Sequence, residues 1–371
     1  MRLFIASCVG RNCRAAAASA ATIAVVTVII TSLSLTGCSK STQPKEPKYN
    51  IYHGASYSKN SDGQRSLFSL LYVYDADSLT RLDSIPLPGW ARELAVSPDG
   101  QWLYASVRYT TDLGITWYLV KINARSRETA WTVDGTGPSV ALLKNGALLV
   151  NERRVVRTTD GKLVRQYGDT LDMGGGPVSG ARIALVHRGA VRIADVETGE
   201  VFGDYVPNDG TSGMCPAWYA TLHPDGVHAL VGGGSCLAFG NVLTGETIFG
   251  HPTEAFGDGH RLLVSEDGKF GLYTHPGLGP LEPVPDGIDV IDIAEQRYLK
   301  RLDLRSGFPV EASGRVCFVP GRRTFVAGPD IFSGGPLCLV DLNSLTVVKS
   351  ISEVGTSRGC LGVGPRPTGG Q

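Results

Sequence analysis

Glu93-Leu-Ala-Val-Ser-Pro98-Asp99-Gly100, followed after Gln101 by Trp102-Leu-Tyr-Ala-Ser106, is the stretch whose reading decides the fold. An alternating apolar strand runs into a tight turn, and a second alternating strand leaves it. Pro98 presets the φ of the turn, and Gly100 takes the positive φ that residues with a Cβ resist. Equivalent turns stand at Lys144-Asn145-Gly146, Pro224-Asp225-Gly226, Glu266-Asp267-Gly268 and Pro320-Gly321.

A second hairpin alternates with the first. It reads YVYDADSLTRL from Tyr72, LVKINARSRETA from Leu119, VRIADVETGEVF from Val191 and LAFGNVLTGETI from Leu237. Further copies are VIDIAEQRYLKRL from Val290, CLVDLNSLTVV from Cys338 and a shorter VVRTTDGKLV from Val155. With Asp75, Asn123, Thr158, Asp195, Asn241, Asp292 and Asp341 as anchors, the mean period is about 44 residues. Two hairpins at that period make a four-stranded blade. The 47 glycines and only 3 methionines agree with many short strands joined by tight turns. The expectation is an all-β chain: one seven-bladed β-propeller of four-stranded antiparallel blades.

The two ends of the repeat are incomplete in complementary ways. Cys360-Leu-Gly-Val-Gly364 reads as an innermost strand without a partner, and residues 51–57, IYHGASY, read as a second strand without a first. Joined, they complete one blade from both termini and remove the exposed sheet edges of an open array. Gly174-Gly-Gly-Pro177 stands where another innermost strand should start, so irregularity is expected there.

These units resemble the YVTN-type repeats of bacterial extracytoplasmic propellers, which alternate a V-A-V-S-P-D-G hairpin with V-x-V-I-D-x-x-T. The resemblance covers nearly all of residues 50–366. It implies a WD40-like propeller and leaves function open, because the repeat serves many roles.

The N-terminus reads as an export leader. Arg2, Arg11 and Arg14 precede an uncharged run from Ala15 to Leu35, which ends in Leu35-Thr36-Gly37-Cys38. That ending resembles the bacterial lipobox, which implies diacylglyceryl transfer to the Cys38 thiol and cleavage before it. At 21 residues the run is also just long enough for a plain transmembrane anchor. Either way the domain is tethered outside the cytoplasm, at the cell envelope. In a diderm cell, Ser39 resembles an outer-membrane sorting residue. The expected organisation is residues 1–37 signal peptide, 38–49 lipidated cysteine and solvated linker, 50–366 propeller and 367–371 tail.

Charge narrows the partners. Setting aside Arg2, Arg11 and Arg14 leaves 32 basic against 35 acidic residues. No basic stripe remains to neutralise a run of phosphates, so nucleic acid is not an expected partner. The membrane, through Cys38, and an envelope protein or polymer are.

In a propeller, the residues just ahead of each innermost strand surround one mouth of the central channel. Here they are Trp90, Arg92, Glu93, Trp218, Asp258, His260, Arg261, Glu311 and Arg358. Aromatics, both charge signs and a histidine at a concave mouth suit a polar small molecule or peptide. The same residue types also line water-filled channels that bind nothing specific. Glu93, His260 and Arg358 offer an acid, a base and a cation for a lactonase- or lyase-like enzyme, but no nucleophile–base pair is visible. A dehydrogenase-like propeller would carry tryptophans in register, and Trp90, Trp102, Trp117, Trp131 and Trp218 are not.

No metal or cofactor is expected. Among His53, His187, His223, His228, His251, His260 and His275 no pair has the helical spacing of a ligand pair, and His223 and His228 flank a turn. Of the remaining cysteines, Cys215 and Cys236 open the first and third strands of one blade. Such strands lie about 9.6 Å apart, beyond disulfide reach unless the loops bend inward at Gly232-Gly-Gly234. Cys317, Cys338 and Cys360 read as buried thiols. The proline-rich segment from His275 to Gly287 is the longest interruption of the repeat and a candidate partner contact. The favoured expectation is a non-catalytic binding or scaffold propeller; the alternative is an envelope enzyme acting on a small polar molecule at the channel mouth.

Overall fold

A computed structural model of the chain describes residues 48–61, 64–111, 114–143, 146–151, 154–167, 172–173, 180–208, 215–233, 236–252, 261–275, 287–303, 315–328, 336–351 and 361–367. The leader, Cys38 and the linker up to residue 47 lie outside these, as do Asp258, His260, Glu311, Arg358, Cys360 and residues 276–286.

The described residues form 28 strands in chain order. Blade 1 uses β1 (Tyr49–Ser61), β2 (Gln64–Asp75) and β3 (Arg81–Leu87). Blade 2 is β4 (Trp90–Val96), β5 (Trp102–Thr111), β6 (Gly114–Asn123) and β7 (Thr129–Asp134). Blade 3 is β8 (Ala141–Leu142), β9 (Leu148–Asn151), β10 (Arg154–Arg157) and β11 (Leu163–Gln166). Blade 4 is β12 (Asp172–Met173), β13 (Arg182–His187), β14 (Ala190–Asp195) and β15 (Val201–Tyr205). Blade 5 is β16 (Tyr219–Leu222), β17 (His228–Gly233), β18 (Cys236–Asn241) and β19 (Glu246–Pro252). Blade 6 is β20 (Arg261–Val264), β21 (Phe270–His275), β22 (Gly287–Asp292) and β23 (Arg297–Asp303). Blade 7 is β24 (Arg315–Phe318), β25 (Thr324–Gly328), β26 (Leu337–Asp341) and β27 (Thr346–Ile351), and β28 (Leu361–Pro365) follows. Each blade is a four-stranded antiparallel sheet, and blade 1 has the order β28-β1-β2-β3. The chain is therefore a seven-bladed β-propeller.

Closure follows the complementarity of the two ends. β28 pairs with β1 from Tyr49↔Pro365 to His53↔Leu361. Arg366 extends the join, its Nη2 donating to Asp75 Oδ2 at 2.6 Å and its Nε to Asn50 Oδ1 at 3.2 Å. Gly100, in the blade 2 turn, lies against this strand: a Cβ there would sit 1.9 Å from the Pro365 carbonyl oxygen. The glycine is needed twice, for its φ of 71° and for that close approach.

Apolar side chains alternate along the strands and meet between blades. Tyr52, Leu71, Leu94 and Leu103 fill the seam between blades 1 and 2. Ile51, Leu361, Val326 and Leu337 fill the seam between blades 7 and 1. The joining strands β1 and β28 thus bury residues on both of their faces, each such side chain contributing about 2 kcal/mol of burial.

The outer-hairpin anchors are Asx turns. Asp75 Oδ1 accepts the N–H groups of Asp77 and Ser78, and Asp195 and Asp341 accept equivalent pairs. The Thr198 and Ser344 N–H groups hold the Asp195 and Asp341 carboxyls below the usual carboxylate range. Asn123 and Asn241 do the same work without charge. Blade 3 departs from the pattern. There the turn closes on Arg157, whose carbonyl accepts the Gly161 N–H, while the Thr158 hydroxyl donates back to the Gly146 carbonyl. The anchor expected at Thr158 is therefore shifted by one residue. The irregularity expected at Gly174 to Pro177 falls outside the described residues.

Candidate functional site at the channel mouth

The innermost strands bring their first residues to one mouth of the ring. In β4 the pairing with β5 slips between Ala91 and Glu93, so Arg92 is the extra residue of a bulge. Arg92 is exposed there. Glu93 turns inward instead: its Oε2 accepts the Val140 N–H of blade 3 at 3.0 Å. Its Oε1 stands 4.0 Å from Arg315 Nη1, with the two side chains only 13% and 10% exposed. Arg315 opens β24 of blade 7, and blade 1 lies between blades 7 and 2 in the ring. Glu93 therefore ties together the blades on either side of the closure.

Arg315 is not among the residues expected at this mouth, where the sequence reading places Glu311 for its blade. The signal was present in the sequence, because Arg261 and Arg315 each immediately precede the apolar residues of an innermost strand, Leu-Leu-Val and Val-Cys-Phe. Arg261 opens β20, and its Nε and Nη1 are enclosed with no hydrogen-bond partner among the described residues. His53, on β1, is 1% exposed. Gly328 separates it from Arg315: a Cβ at Gly328 would meet His53 Cδ2 at 3.6 Å and Arg315 Cβ at 3.7 Å. Burial, reinforced by the Arg315 charge, pushes the His53 imidazole down to about 4, so it is neutral at pH 7. Cys317 lies two residues along β24, and burial raises its thiol.

The aromatic candidates stand apart. The Arg108 guanidinium lies over the Trp90 ring, 4.8 Å from its centroid, which holds a cation against the blade 2 rim. Trp218 is 45% exposed on blade 5. The structure thus joins Glu93 to Arg315 and presents Trp90, Arg92 and Trp218 at separate points of the rim. Asp258, His260, Glu311 and Arg358 lie outside the described residues.

Cys215 and Cys236 form a disulfide with Cα atoms 5.8 Å apart. The segment ahead of β16 reaches β18 by crossing Gly233, where a Cβ would lie 1.7 Å from the Pro216 carbonyl oxygen. That contact is the inward bend which ideal strand spacing lacks. Both cysteines are buried beside Ala238. Among the described residues Cys317 and Cys338 are free thiols, and burial pushes Cys338 up to about 11.

At the other end of β16 the structure brings together His223, Asp225 and His228. A test for helical spacing passes over this group, because a β-turn, not a helix, brings its members together.

Four-stranded blades in a closed ring define a seven-bladed β-propeller. No family model and no curated protein matches its sequence. Solved structures share the fold. Hydrazine synthase of Kuenenia stuttgartiensis superposes with a TM-score of 0.53 at 16% identity, covering 72% of this chain and 87% of that one. A functionally unknown protein from Desulfotomaculum acetoxidans gives 0.57 at 13% identity, covering 85% and 99%. The β-propeller domain of Cps50 (Swd1) from Myceliophteria thermophila gives 0.52 at 11% identity, covering 74% and 96%. At these identities the likeness concerns the fold alone.

Proposed function

We propose that this chain is an exported, lipid-anchored binding module, whose propeller presents a rigid rim to a protein or polymer of the cell envelope. The observation that carries the reading is the engagement of Glu93. Its carboxylate is spent between Arg315 and the Val140 N–H, which makes it a tie between blades and not a base facing a substrate. Arg92 and Trp218 remain exposed on the rim, and aromatic and arginine side chains are the usual anchors of protein interfaces. Export is supported by the leader ending in Leu35-Thr36-Gly37-Cys38 and by the Cys215–Cys236 disulfide, since such bonds persist outside the cytoplasm. The likeness of the repeat to YVTN-type extracytoplasmic propellers points the same way.

Cross-linking of the full-length protein in its own membranes, followed by mass spectrometry, tests this. The expected result is a stoichiometric partner that is lost with the Arg92→Ala/Trp218→Ala pair and kept with Glu93→Gln. Recovery of the propeller alone, or capture indifferent to the rim pair, overturns it. The anchor is tested separately: wild-type protein should carry a diacylglyceryl mass on an N-terminal Cys38, and Cys38→Ser should retain its leader.

A further inference from the structure

The turn between the first two strands recurs around the ring, and two copies show its ordinary chemistry. In blade 2 the Ser97 hydroxyl donates to Asp99 and accepts the Trp102 N–H at 2.9 Å. In blade 6 Ser265 donates to Asp267 at 2.7 Å and accepts the Phe270 N–H at 2.9 Å. Blade 5 keeps the aspartate but replaces both neighbours: His223 stands at the serine position and His228 at the aromatic one. The turn still closes, because Asp225 Oδ1 takes the N–H groups of Val227 and His228 at 2.9 and 3.0 Å.

That substitution aims two imidazoles at the other carboxylate oxygen, which the serine of the ordinary turn does not use. Asp225 Oδ2 lies 2.9 Å from His223 Nδ1 and 2.6 Å from His228 Nδ1. His223 Nε2 is 3.1 Å from the Gly268 carbonyl oxygen of the next blade, and donating its proton there leaves the Nδ1 lone pair facing the carboxylate. The Asp225 N–H meets that lone pair only at 3.3 Å. Two acceptors therefore face one another unless a cation, or an added proton, stands between them. A histidine whose second nitrogen donates to a backbone carbonyl is also the usual orientation of a metal ligand.

The surroundings hold these groups in place. His228 stacks on Phe239 with centroids 5.5 Å apart, and His223 meets the same ring edge-on at 5.6 Å. A Cβ at Gly268 would lie 2.2 Å from His223 Nε2, so that glycine admits the imidazole. The side chains of His223, Asp225 and His228 are 19%, 39% and 25% exposed, which leaves one side of the cluster open to water.

We propose that this turn binds one divalent first-row transition ion of the zinc class. Nδ1 of His223, Nδ1 of His228 and Oδ2 of Asp225 are the protein ligands, and water takes the fourth position. Two imidazoles and one carboxylate suit Zn²⁺ better than the oxygen-seeking Mg²⁺ or Ca²⁺. Tetrahedral coordination at about 2.0–2.1 Å needs ligand atoms about 3.3 Å apart. Small side-chain rotations on an open turn supply that expansion, and a tautomer shift of His228 frees its Nδ1. The site lies at the opposite end of β16 from Cys215 and Trp218 and is independent of the proposed rim.

The test uses the full chain in detergent, purified without a polyhistidine tag, stripped with chelator and titrated with Zn²⁺ against a chromogenic chelator. One zinc per chain and a rise in Tm with added zinc are expected. His223→Asn and His228→Asn should each weaken binding at least tenfold. The His223→Ser/His228→Phe double variant restores the residues that blade 6 carries at these positions. It should fold, with unchanged Tm in chelator, yet bind no zinc at this stoichiometry. No zinc uptake by the wild type, or uptake unchanged in that double variant, overturns the proposal.

Discussion

Blade 1 closes on hydrogen bonds between the two ends of the chain, whereas blade 5 carries the one disulfide among the described residues. In blade 1 the long β1 and β2 strands pair over their whole length, and β28 adds five residue pairs and buries Leu361. In blade 5 the innermost strand β16 has four residues, and the segment ahead of it is bolted to β18 through Cys215–Cys236. The first arrangement spreads many weak contacts across the whole chain, and its failure opens the ring. The second places one covalent bond across a separation of 21 residues, and its failure loosens one blade. Cooperativity of the ring therefore rests on blade 1, and local rigidity on blade 5.

Four experiments break or sharpen this contrast. Ending the chain at Cys360 removes β28 and Arg366, exposes the edge of β1 and leaves two apolar seams unfilled. Loss of cooperative unfolding and aggregation are expected; a sharp, near-native melt would refute the assignment of closure to blade 1. Replacing Cys215 and Cys236 by alanine should cost about 3 kcal/mol, from the loop-closure entropy of a bond of this span. Urea denaturation checks this, and the transition should stay single, because the ring itself remains closed.

Blade 1 also carries a pH dependence through the buried His53. Its folded value is depressed to about 4 against an unfolded value near 6.5. The unfolded chain therefore takes up the proton first as pH falls. The stabilisation is complete above pH 6.5 and is lost as pH drops towards 4, amounting to about 2–3 kcal/mol by pH 4.5. Urea midpoints at pH 7 and 4.5 should show this slope in the wild type and a flatter one in His53→Asn. Equal slopes would mean that carboxylates, not His53, set it.

The smallest effect compares one turn position in the two blades. Leu79 of blade 1 and Gly245 of blade 5 both occupy the left-handed region, with φ of 51° and 76°. Leu79 is 2% exposed in the seam with blade 7, so burial outweighs its backbone strain. A Cβ at Gly245 would meet, among the described residues, the Asp204 carbonyl oxygen alone within 4 Å, at 3.9 Å. Gly245→Ala should therefore cost only the positive φ, about 1 kcal/mol by thermal melting. Leu79→Gly should cost more, despite relieving the strain.

Local chemistry made much of this legible beforehand. The Pro98-Asp99-Gly100 turn, the Asx anchors and the period of the hairpins depend on residues adjacent in the chain, so reading along the sequence finds them. Blade 3 shows the limit: Thr158 sits where an anchor should, but its hydroxyl is drawn to the Gly146 carbonyl and the turn closes one residue earlier.

The sequence by itself determined the blade, its repetition and the closure by complementary ends, because strand alternation and turn stereochemistry are local. It also offered Glu93 and Arg261 as candidates for one mouth of the channel. Only the tertiary structure decided what those residues touch. Glu93 meets Arg315 from a blade two places away in the ring, and His53 is neutral because packing excludes water from around it. His223 and His228 face one carboxylate because a turn, which no helical spacing describes, folds them together. Such contacts depend on distances between separate blades and on side-chain direction at a turn, neither of which is written in the spacing of residues along the chain.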